Sequence, residues 1–95
     1  MNFLNELGFN KEEVKLLKET TSKVIQTEME ENNEVVASNV NFLKELGVTN
    51  FKEIVITYSE MFLMDNTNFK NIFLKYDKAD LVEKLAKNIS IIEYL

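Results

Sequence analysis

Ninety-five residues contain two glycines and no proline, and each glycine directly follows a leucine, at Leu7–Gly8 and Leu46–Gly47. Sandwiches and barrels need far more turn punctuation than that. The chain is therefore read as all-α, with short helices joined by compact turns and both glycines acting as left-handed caps. At this length a single domain, residues 1–95, is expected. Seven Phe and three Tyr supply bulk for one core.

Side-chain spacing places the elements. A first piece, Asn2 to Leu7, stops at Gly8. Asn10 with Glu13 three residues on is an Asn version of the capping box, so a helix should start at about Lys11. Val14, Leu17, Thr21, Val24 and Ile25 share its apolar face, which predicts a run into the mid-twenties. Gln26 to Glu34 reads as an acidic interruption, with Asn32–Asn33 as the break. A third helix carries Val36, Val40 and Leu43 and ends at Gly47.

Asn50 and Glu53 form another capping pair ahead of Phe51, Ile54, Val55 and Tyr58. The β-branched run Ile54–Thr57 makes a strand the local competitor, but the helical spacing and the nearby glycine stop favour a helix. Ser59 restarts the chain as a short turn with Met61, Phe62 and Leu63. Thr67 or Asn68 is expected to cap a helix with Phe69, Ile72, Phe73 and Tyr76 on one face. Asp77 with Asp80 opens another, bearing Leu81, Val82, Leu85 and Ala86. It should stop at Asn88, with Ser90 capping the terminal IIEYL. That makes about seven to eight short helices.

These elements repeat. With Val14, Phe51 and Leu81 in register, Leu17, Ile54 and Lys84 fall three residues later. Thr21, Tyr58 and Asn88 fall seven later, and an apolar pair recurs ten and eleven later in all three copies. The periods, 37 and 30 residues, suit helical solenoids, with copies at approximately 2–30, 35–66 and 68–95. The segment NFLKELGVTNFKEIVITYSEMFLM resembles the repeat of the mitochondrial transcription termination factor (mTERF) family, which runs LG, a polar cap, an apolar helix stripe, a proline and a short apolar turn. The resemblance implies a right-handed array of helix pairs, each followed by a 3₁₀-like turn, and a family that binds nucleic acid. The chain departs from the pattern where Ser22, Ser59 and Ile89 replace the proline, and it has no arginine. No nucleic-acid-contacting residue carries over.

Charge narrows the function. The net charge is −5 and every cation is a lysine. Residues 1–39 carry −4, residues 40–67 carry −2 and residues 68–95 carry +1. Nucleic-acid binders usually show a basic face and use arginine for forked phosphate contacts. Lys70, Lys75, Lys78, Lys84 and Lys87, interleaved with Phe69, Phe73 and Tyr76, are the nearest thing to such a face, yet Asp77, Asp80 and Glu83 neutralise its field. The acids Glu28, Glu30, Glu31 and Glu34 lack the glycine-centred spacing of a calcium loop and read as a solvated turn. With no histidine or cysteine, no nucleophile–base pair, thiolate metal site or phosphate loop assembles. No cofactor and no metal are expected.

No apolar run is long enough for a membrane span, and MNFLNELGF lacks a basic leader region, so a cytoplasmic protein is expected. The resulting expectation is a non-enzymatic module that binds another protein, with a reduced mTERF-like nucleic-acid binder as the alternative. Ile91, Ile92, Tyr94 and Leu95 are the candidate partner surface, unless they pack back on the preceding helices.

Overall fold

A computed structural model describes all 95 residues, and every element in it is helical. The chain runs α1 (Asn2–Glu6), α2 (Lys11–Thr20), α3 (Lys23–Glu31), α4 (Asn33–Leu46) and α5 (Phe51–Thr57), then a 3₁₀ segment (Ser59–Leu63). It continues through α6 (Asn66–Leu74) and α7 (Lys78–Lys87) to a second 3₁₀ segment (Ile89–Tyr94). The strand competitor loses, because Ile54–Thr57 lies within α5.

Both Leu–Gly pairs end a helix in the same way. Gly8 and Gly47 sit at φ 102° and 92°, where an L side chain is strained. The residue after each folds back, Phe9 N–H donating to Leu4 O at 3.0 Å and Val48 N–H to Leu43 O at 3.1 Å. That closure satisfies carbonyls the helix end leaves free. The Asn10–Glu13 box closes in both directions, at 2.8 and 2.9 Å.

Several boundaries differ from expectation, each for a local reason. The helix expected to reach the mid-twenties ends at Thr20, and Thr21 is extended. Ser22 starts a new helix by accepting from Ile25 N–H, and the Gln26 amide covers the freed carbonyls of Lys18 and Thr21. The acidic stretch continues as α3 through Glu31, so the interruption shrinks to the neighbourhood of Asn32. Glutamate is a good helix former, and Asn32 returns its amide to Glu28 O. Asp65, not Thr67 or Asn68, caps α6. Asn50 makes no side-chain cap; its amide reaches Leu85 O at 2.9 Å instead. Asn88 stops α7 in an extended rather than left-handed conformation, and it, not Ser90, caps the last 3₁₀ segment.

Packing follows the expected repeat only in part, since α5 and α7 make little contact with each other, as do the two 3₁₀ segments. α1 lies against α4 and α4 against α6; α2 lies against α5, and α3 against the first 3₁₀ segment. Eighteen apolar side chains form one continuous core, with Val14 and Phe51 packed on it and Leu81 inside it. Part of it is aromatic: Phe69 sits 5.2 Å from Phe62 and 5.0 Å from Phe73, centroid to centroid. One amide crosses this core. The fully buried Asn39 donates to Phe62 O (3.0 Å) and Met64 O (2.8 Å) and accepts from Asn66 Nδ2 (2.9 Å). Every polar atom of that side chain's acceptor and donor groups therefore has a partner, as burial requires.

Candidate partner surfaces

The last 3₁₀ segment splits the four candidate residues. Ile92 is buried, Ile91 and Leu95 are half-buried against the core, and Tyr94 stands 85% exposed. The segment owes its position to Asn88, whose Oδ1 accepts from both Ser90 N–H (3.1 Å) and Ser90 Oγ (2.7 Å). Leu74 and Tyr76, at the α6–α7 corner, are the other large apolar side chains left exposed in this third of the chain. Tyr76 leaves the face it was expected to share with Phe69 and Phe73, because α6 ends two residues before it.

The five lysines do not make one free basic face. Lys84 pairs with Asp80 at 3.0 Å and Lys87 with Glu83 at 3.2 Å. Lys70 lies 5.8 Å from the Phe42 ring centroid, a cation–π distance. Lys75 and Lys78 are exposed, at the end of α6 and the start of α7. The aromatics expected to interleave with them are mostly interior, since Phe69 and Phe73 are buried. In the acidic segment Glu30 meets the chain's amino group at 3.0 Å, and no three carboxylates converge on a common cation position. Met29, in the same segment, is fully buried.

A cleft of about 370 Å³ opens where α2 turns into α3 beside the end of α5. Hydroxyls line it, and two of them, Thr21 Oγ1 and Ser59 Oγ, bond to each other at 3.1 Å. At its edge Tyr58 OH donates to Glu93 at 2.7 Å, and that carboxylate pushes the Tyr58 pKa up from its ordinary value. Glu13 lies on the same α2–α5 contact. The Asn10 backbone N–H holds its carboxyl below the ordinary value against partial desolvation, with Lys52, 3.3 Å away, adding to the effect. The signals were partly local: the Asn10–Glu13 spacing was legible, whereas the Tyr58–Glu93 pair joins residues 35 apart.

No family model matches the chain, and neither does any curated protein or solved structure. No helix is long and apolar enough to cross a membrane.

Proposed function

We propose that the chain is a non-enzymatic, cytoplasmic helical-repeat module that binds another protein, its three copies stacked in the manner the mTERF-like pattern implies. Register supports the array. Counted from Val14, Phe51 and Leu81, the residue one position earlier reaches into the next copy at both junctions: Glu13 to Lys52, and Asn50 to Leu85 O. The residue seven positions later does the same, Thr21 to Ser59 and Tyr58 to Glu93. The longest dimension, 34 Å, accommodates three helix layers at roughly 10 Å each.

The observation that carries binding is Tyr94, an exposed aromatic on a turn whose neighbour Ile92 is fixed in the core. Tyrosine on a rigid base is a recurrent anchor in protein interfaces. The ion pairs within the lysine set weigh for a protein partner over a nucleic acid.

A photo-crosslinker at position 94, with mass spectrometry of the adducts, tests this. One dominant protein adduct, lost on Leu74→Ala or Tyr76→Ala, is expected. Diffuse labelling, or retention of the chain on nucleic acid at low salt, would turn the reading to the alternative. Leu74→Ala and Tyr76→Ala should each shift stability by no more than about 0.5 kcal/mol, both side chains being exposed, so loss of the adduct would reflect the surface and not unfolding.

A further inference from the structure

We propose that the outward faces of α7 and α2 are matching halves of a head-to-tail interface between two copies of this chain, kept apart by Lys84 and Lys18. This rests on the array reading above. Inside the chain, α2 presents Glu13, Leu17 and Thr21, one turn apart, towards α5. The opposing face of α5 and the start of the first 3₁₀ segment carry Lys52, Val55 and Ser59. Leu17 and Val55 are fully buried, and at the next junction Ile54 and Leu85, also fully buried, hold the same register positions.

One step beyond α7 the register gives Asp80, Lys84 and Asn88; one step before α2 it gives Lys15, Lys18 and Ser22. The flanking positions are complementary. Asp80 of one copy would face Lys15 of the next as Glu13 faces Lys52, at 3.3 Å. Asn88 would face Ser22 as Thr21 faces Ser59, at 3.1 Å.

The central position is not complementary. Two lysines would meet where the α2–α5 junction holds two fully buried apolar side chains, Leu17 and Val55. Both lysines are exposed in the single chain, and Lys84 is held there by Asp80. Stacking a second copy would bury two like charges against each other, which neither desolvation nor Coulomb energy permits. Terminal repeats need polar outer faces for this reason. In this array one lysine at each end supplies them, and the rest of a repeat junction remains intact around it.

Sedimentation velocity on purified chains tests the inference. Wild type, Lys18→Leu alone and Lys84→Leu alone should all be monomers. An equimolar mixture of the two variants should form a 1:1 dimer at least about tenfold tighter than either self-association, and nothing longer. Lys84→Glu alone should also associate, because its carboxylate would face Lys18, and adding Lys18→Glu should return it to monomer. The inference is overturned if wild type already stacks, if either leucine variant associates with itself, or if the mixture and Lys84→Glu sediment as wild type with unchanged helical circular dichroism. These measurements use no foreign partner, so they can fail while crosslinking at position 94 succeeds, or the reverse.

Discussion

The two 3₁₀ segments occupy the same place in the register, each following a helix that ends six residues after its anchor, yet they are held very differently. In the first, Phe62 is fully buried among aromatic rings and its carbonyl is claimed by Asn39. In the second, Ile92 retains slight exposure, the fixing bonds come from Asn88 next door, and Tyr94 faces outward. The first turn leaves Glu60 as its one exposed side chain, whereas the second leaves Glu93 and Tyr94 exposed. The turn held from its own start keeps a free flank. The contrast is between a middle turn fixed from the core and a last turn that leaves Tyr94 facing outward.

Truncating the apolar anchor of each turn gives the largest effect. Phe62→Ala should lower stability by about 3–5 kcal/mol, as a large cavity opens in a region that cannot collapse. Asn39→Leu comes next, at about 2–4 kcal/mol, because the Phe62 and Met64 carbonyls and the Asn66 amide lose their partner inside the protein. Ile92→Ala should cost less, about 2 kcal/mol, since the terminal turn can settle into the space. Urea unfolding of the three variants at one temperature ranks them. If Ile92→Ala costs as much as Phe62→Ala, the two turns are equally gripped and the contrast is wrong.

Features governed by neighbours in sequence were the legible ones. The Leu–Gly stops, the Asn10–Glu13 box and Asp77 at the head of α7 all act within five residues, so spacing alone exposes them. The missed features depend on distant contacts or on competition between adjacent polar groups. Asn50 looked like a cap and was drawn away by Leu85 O, 35 residues on. Thr21 and Ser22 broke a helix whose apolar face continued past them, because the Gln26 amide closes the corner. Nothing near Asn39 in the sequence marks it as a core residue; its partners lie 23 to 27 residues away. Among the candidate surface residues, hydrophobicity alone could not separate Ile92, which packs inward, from Tyr94, which does not.

The smallest expected effect concerns the bond joining the two turns, Tyr58 OH to Glu93. It donates the phenolic proton to a carboxylate, so ionising Tyr58 removes the donor and sets two negative oxygens against each other. The Tyr58 pKa is raised in the folded chain, which means that the folded state holds this proton more tightly than the unfolded state does. By linkage the contribution is complete below the unfolded value, near 10, and is lost as pH rises through the raised folded value. Lysines titrate in the same range, so the informative quantity is a difference. The urea midpoint of wild type should fall more steeply between about pH 9.5 and 11.5 than that of Tyr58→Phe. At neutral pH, Tyr58→Phe should lower the midpoint only slightly, because the pair is exposed and water competes for it. Parallel alkaline curves would mean that the bond does not tie the terminal turn to the middle of the chain. The terminal turn would then depend on Asn88 and Ile92 alone, and Ile92→Ala should release it without disturbing the first.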